Sequence, residues 1–210
     1  MKFIVKQPEP SEFTAWKLLA NEEWQPSYSA LSGHVKASVK SALMAEQSFL
    51  CCYCERRLVT NDAHIEHFKP QSDPSVDPLD FSNLLCSCQN QIKSGDPRHC
   101  GNLKADWFDD ELLVSPLDEG CAKRFVFMGN GHIRASEKND VAALETITHL
   151  GLDIPKLNAL RSKAIEPFLD ANLSDDDLRA FIAGYLKKDA QHKLGEFWTT
   201  IDHLFGAMAA

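Results

Sequence analysis

CCYCE (residues 51–55), HIEHFKP (64–70), SNLLCSC (82–88) and HCGNLK (99–104) follow one another between Cys51 and Lys104. The stretch holds six of the seven cysteines and three of the eight histidines. Disulfides belong to oxidising compartments. Residues 1–10 show neither the apolar run nor the small-residue cleavage site of a secretory signal, so a cytoplasmic location is expected. Cysteines crowded together in such a chain read as metal ligands.

Cys51 and Cys54 have the C-x-x-C spacing with which one tight turn aims two thiolates at one ion. The second pair comes from Cys86, Cys88 and Cys100. Cys86 and Cys88 would share one face of a strand, whereas Cys100 opens a knuckle running into a short helix over 101–108. Cys88 with Cys100 is the choice, joined by the polar loop 89–99. Four thiolates close a tetrahedral zinc site, which is structural because no position is left for water. Cys52 and Cys86 are then spare thiols, and Cys121 is a buried structural cysteine.

The reactive chemistry is expected at Glu66-His67. An imidazole is suited to take a proton from water at neutral pH, and a neighbouring carboxylate suits a hard divalent ion such as Mg²⁺. Adjacent strand residues face opposite sides, so one can reach a metal and the other a water. Asn83 is placed to orient His67 through a hydrogen bond.

A net charge of -8 argues against strong nonspecific nucleic-acid affinity. Residues 51–135 share this bias, with nine Lys/Arg against thirteen Asp/Glu. No apolar run approaches the length of a membrane span. Composition is that of an ordinary globular chain.

The flanks read as helical. Ser11 is a candidate N-cap ahead of Phe13, Trp16 and Leu18, and Pro26 ends that segment. Leu31, Val35, Val39, Leu43 and Met44 predict a helix over about 29–48. Lys36 and Lys40 lie off its apolar stripe, where a solvated face is expected over a phosphate or partner contact. A hairpin is expected from Arg57–Val59 through Asn61-Asp62 to Ala63–Phe68, and another around Gly129-Asn130-Gly131. Pro70, Pro74 and Pro78 make 69–81 a loop. Helices should follow from Val141, from Pro155, after a Ser174 cap, and over about 191–204. The fold class is therefore α+β, mostly helical. Segment 1–50 is helical, 51–135 holds a zinc-braced core, and 136–210 is helical.

The order C-x-x-C, acid-His, N-L-x-x-x-C, C-x-x-x-K resembles the HNH endonucleases with their ββα-metal core. The resemblance implies Glu66 as metal ligand, His67 as general base and Asn83 as the residue positioning that base. Asn83 stands five residues before Cys88, the family's interval, which also favours Cys88 over Cys86. Lys104 stands where the family has a helix lysine. The family's last metal ligand would fall at Gly101, which has none to offer. Of Asn102, His99 and Asn90, Asn102 is taken as the second magnesium ligand, and Lys104 and Arg98 as holders of a substrate phosphate. The longer pattern, with CCYCERRL, WFD and SPL, is similar to the HNH subunit of Septu-type antiphage systems, including retron-linked ones. That implies a nucleic-acid substrate (DNA or tRNA) and an ATPase partner. In retron systems it further implies a reverse transcriptase with its RNA-DNA product.

Two other classes compete. A zinc-structured binding module would use the same cysteines without catalysis. A thiol-redox protein would use Cys51-Cys54, and stoichiometric zinc would rule it out.

Overall fold

A computed structural model of the chain describes residues 1–209. Among the described residues, seven α-helices and two separate two-stranded antiparallel sheets make it α+β. The first sheet pairs β1 (Ala63–His67) with β2 (Leu84–Cys88), in the register Ala63 to Cys88 and His67 to Leu84. β1 does not form the expected hairpin with Arg57–Val59. Residues 57–62 hold only a bridge from Arg57 to Leu50 and turns. The apolar run 84–88, buried at every position, outcompetes a segment whose Val59 is 49% exposed.

The first part of the chain supplies α1 (Ser11–Lys17) and α2 (Gly33–Glu46). Pro10 occupies the cap position of α1, so Ser11 is its first helical residue and caps nothing. On α2, Val35, Val39, Leu43 and Met44 are buried, as their spacing requires. Gln47, just past α2, extends the first sheet sideways. Its amide accepts from Cys86 N at 2.7 Å and donates to Cys86 O at 2.8 Å, as a neighbouring strand would.

A short helix, α3 (Gly101–Lys104), follows β2 after the irregular loop 89–99. β3 (Phe125–Phe127) and β4 (Ile133–Ala135) form the hairpin expected around Gly129-Asn130-Gly131. Gly131 has φ +83°, and a Cβ there would strike the backbone of Asn158. α4 (Val141–His149) is capped by the Asp140 side chain, and its last carbonyls turn back to the cysteine centre: Leu150 O accepts from Cys100 N at 2.7 Å.

α5 (Pro155–Ile165) has proline in its first turn. α6 (Asp175–Tyr185) has Ser174 as its cap, accepting from Asp177 N. The last helix, α7 (Trp198–Phe205), starts later than expected. Asp189 accepts from Gln191 N and Lys193 N, and His192 and Phe197 take positive φ, so 187–197 is a chain of turns.

One core runs from Met1 through Val39, Leu85 and Cys100 to Leu157, so all three expected segments contribute to it. A smaller cluster, Ile165, Phe168, Ile182 and Ile201, sits among α5, α6 and α7. Among the described residues, no helix is long and apolar enough to cross a membrane.

Candidate metal centre and nuclease site

Cys51, Cys54, Cys88 and Cys100 converge, with their sulfurs all within 4.8 Å of one another and all four residues buried. They come from a turn before β1, the end of β2 and the residue before α3. Cys54 Sγ and Cys88 Sγ are 3.7 Å apart. Two thiolates on one tetrahedral zinc, at about 2.3 Å from the ion, lie about 3.8 Å apart. The donor set and the Cys54–Cys88 spacing fit zinc.

The cluster also shows why a cation belongs there. Burial pushes the Cys51 thiol up, but hydrogen bonds from Cys100, Cys52, Cys54 and Cys88 outweigh it and hold Cys51 well below the usual thiol range. Cys100 is pushed well above that range, first by burial and then by its sulfur neighbours. Packed this closely, the thiols oppose one another's ionisation, and a bound cation would let all four ionise. His99 is fully buried, with Nδ1 3.1 Å from Cys100 Sγ, and burial brings its pKa down to about 4. Ser87 Oγ accepts from Gly101 N at 3.2 Å, tying the centre to α3. Cys52 and Cys86 lie outside the foursome, and Cys121 is remote, its Sγ 3.7 Å from Met1 O.

Glu66 points into the seam between β1 and α3 and is only 6% exposed. Its Oε1 accepts from Tyr53 Oη at 3.1 Å and lies 3.1 Å from Lys104 Nζ. Its Oε2 faces His64 Nε2, 3.6 Å away. Gly101 is what makes room: a Cβ there would collide with Glu66 Oε2 and press on His64 Nε2. The residue that lacked a ligand in the sequence is thus the space in which two other donors meet.

His64 was missed at the sequence level, although H-x-E on a strand puts both side chains on one face. Its Nδ1 is buried without a partner. Asn102 does not join Glu66 in the way expected: its Nδ2 donates to Gln89 O at 2.5 Å, fastening α3 to the exit of β2.

His67 is 7% exposed, and its ring meets Tyr28 edge-on at 4.5 Å. Nε2 lies 3.0 Å from Pro78 O. A carbonyl only accepts, so Nε2 carries the proton and Nδ1 keeps its lone pair. Burial lowers the pKa of His67, which favours the neutral ring.

The expected hydrogen bond from Asn83 to His67 is not formed. Asn83 instead clasps the backbone beyond it, with Oδ1 accepting from Lys69 N at 2.8 Å and Nδ2 donating to Lys69 O at 2.9 Å. The Pro-rich loop delivers Pro78 O to the ring first, and Asn83 holds the loop's entry.

Lys104 also departs from its expected role. It is 2% exposed, and its ammonium is engaged by Glu66 and, at 3.1 Å, by His67 O. Arg98 lies exposed in the loop before His99.

The fold and site define an α+β protein in which two antiparallel strands and a short helix frame an acid-histidine pair beside a four-cysteine centre. No family model matches the chain. Over 139 residues, 63% of its length, it is 30% identical to a protein of Vibrio cholerae serotype O1 biovar El Tor described as "Retron Vc95 putative HNH endonuclease". The match spans 65% of that relative, just under two thirds of its length. The resemblance to HNH endonucleases in a retron setting therefore rests on a 139-residue comparison as well as on motifs.

Proposed function

We propose that the chain is a metal-dependent HNH endonuclease that hydrolyses phosphodiester bonds in nucleic acid. The observation that carries this is the division of labour at Glu66. Tyr53 and Lys104 occupy Oε1, which leaves Oε2 turned towards His64 in the space above Gly101. A divalent ion held by Glu66 and His64 would supply charge stabilisation for the phosphate and the leaving oxygen. A carboxylate with an imidazole suits Mn²⁺ or Ni²⁺ as well as the Mg²⁺ expected from the sequence.

The chain's own residues supply the proton chemistry. His67, held neutral by burial and fixed in its tautomer by Pro78 O, has Nδ1 free to take a proton from the attacking water. Such a base contributes about 10²- to 10⁴-fold in rate. Attack at phosphorus with departure of the 3′ oxygen leaves a 5′-phosphate and a 3′-hydroxyl. Asn83 acts as a positioning residue through the Lys69 backbone. The four cysteines hold zinc as a brace and take no part in hydrolysis.

The similarity to a retron-associated relative supports a role as effector of an antiphage system, acting on DNA or tRNA. In that role an ATPase subunit, and a reverse transcriptase with its RNA-DNA product, restrain it. The test is purification of parent and His67→Ala with bound zinc quantified. Cleavage of DNA and RNA is then assayed with Mg²⁺, Mn²⁺ and Ni²⁺, alone and with the ATPase subunit. The variant should keep its zinc and melting temperature and lose cleavage; full activity in the variant would sink the assignment.

One feature favours the binding-module alternative: Lys104 already neutralises Glu66, and Glu66 and His67 are nearly closed to solvent. On that reading neither parent nor variant cleaves under any of these conditions.

A further inference from the structure

Three clefts adjoin one another around the strand pair, and the cations of this acidic chain gather along them. The first, about 390 Å³, lies between α2 and β1 and is lined by Tyr28, Lys36, Lys40, His64 and Asn90. The second, about 590 Å³, shares Asn90 with it and adds Lys93, Arg56 and Lys156. The third, about 660 Å³, shares Arg56 with the second and adds Arg57 and Lys163, with Phe181 and Tyr185 on its far wall. The track thus begins where His64 faces Glu66, passes the cysteine turn, and ends between α5 and α6.

Its charge is opposite to that of the chain. The cations Lys36, Lys40, Arg56, Lys93, Lys156 and Lys163, with Arg57, face only Asp62, Asp96 and Glu196 among the lining residues. The whole chain has 22 Lys and Arg against 30 Asp and Glu. Those three acids are partly engaged already: Asp96 lies 3.4 Å from Lys156, Asp62 accepts from Gln91 N, and Glu196 accepts from Arg57 N. Among the described residues, Lys36, Lys40, Arg56, Lys93 and Lys163 pair with no carboxylate within 4.0 Å. At the far end, Phe181 is 41% exposed and stacks on Phe168, offering an open aromatic face beside Lys163. Cations spaced along a groove with an aromatic face at its end match the backbone and bases of a single strand.

We infer that a single-stranded nucleic acid lies along these three clefts, with its backbone phosphates on Lys36, Lys93, Arg56 and Lys163 and its scissile phosphate at the Glu66–His64 end. The inference rests on the nuclease reading for the position of the scissile phosphate. It eases the difficulty posed by the net charge, because only three of the 30 acids line the clefts. It also gives Lys36 the phosphate role that helical periodicity alone did not favour, while the Lys40 ammonium is held by Thr60 O and Ala63 O.

The test uses the full chain carrying His67→Ala and short fluorescent single-stranded DNA and RNA oligonucleotides, titrated by anisotropy at several salt concentrations. Lys36→Glu, Lys93→Glu and Lys163→Glu should each weaken binding by about 5- to 10-fold at low salt and lower the salt slope by about one. Lys138→Glu, exposed and outside the clefts, should change neither. Melting curves confirm that each variant folds. The track is overturned if the three variants bind like their parent, if Lys138→Glu weakens binding equally, or if the parent binds neither oligonucleotide at low salt. Binding along the track without cleavage by the His67 chain would instead overturn the nuclease reading alone.

Discussion

Glu66 and Lys104 form a buried ion pair, 3.1 Å between Oε1 and Nζ, that joins β1 to α3 across 38 residues of sequence. With side chains 8% and 1% exposed, neither charge has water to fall back on. Removing one partner of such a pair leaves the other buried and uncompensated, at a cost of about 3–5 kcal/mol. Lys104→Met should therefore lower the melting temperature measurably in the absence of divalent ions. If Glu66 is a metal ligand, added Mn²⁺ should restore part of the loss in the variant and raise the parent less. Equal stability of variant and parent, with and without ions, would remove the ion pair from the account.

Gly101 tests the same space from the other side. Gly101→Ala places a methyl where Glu66 Oε2 and His64 Nε2 approach. Overpacking of this kind costs about 1–3 kcal/mol, so the variant should fold and keep the cysteine centre. Displacing a reacting group by about 1 Å can cost about 10²-fold in rate. Cleavage should fall by about that factor, with a raised requirement for divalent ion in the titration. Unchanged ion dependence would mean that Glu66 and His64 do not bind the ion together.

The cysteine centre separates by zinc content. Cys100→Ser should lose zinc and melt below the parent, since metal binding contributes folding free energy. Cys86→Ser, whose sulfur lies outside the foursome, should retain one zinc per chain and shift stability only slightly. Zinc retention by the Cys100 variant would reassign the fourth ligand.

What could be read from the chain alone followed local chemistry. C-x-x-C, the Gly129-Asn130-Gly131 turn, Pro155 and Ser174 act within a few residues, and each has its expected structure. What escaped depends on distant partners. β1 chose a strand beyond a Pro-rich loop over its sequence neighbour, because only 84–88 is apolar enough to be buried on both faces. Lys104 was expected to hold a substrate phosphate because its partner, Glu66, is remote in sequence. Gln47 gave no sign that its amide would mimic a strand edge. His64 was legible in principle, through the alternation of a strand, but the adjacent Glu66-His67 pair drew the chemistry to itself.

Asp140 provides a pH test away from the metal sites. It caps α4 through Ala143 N at 2.9 Å and makes a two-pronged contact with Arg124. The Arg124 guanidinium, first among the causes, holds the Asp140 carboxyl below its usual range. A carboxyl whose folded pKa lies below its unfolded value of about 3.9 stabilises the fold above that value and loses the effect as pH falls through the folded one. Arg124 is 42% exposed, so solvent screening holds the pair to about 1 kcal/mol or less. Asp140→Asn keeps a capping oxygen but loses the charge. Its melting temperature should lie at most about 2–4 °C below the parent at pH 7. That gap should stay constant down to about pH 5 and close below pH 4 as the parent's carboxyl protonates. A gap that persists at pH 3 would show that the cap geometry, and not the Arg124 charge, is what Asp140 contributes.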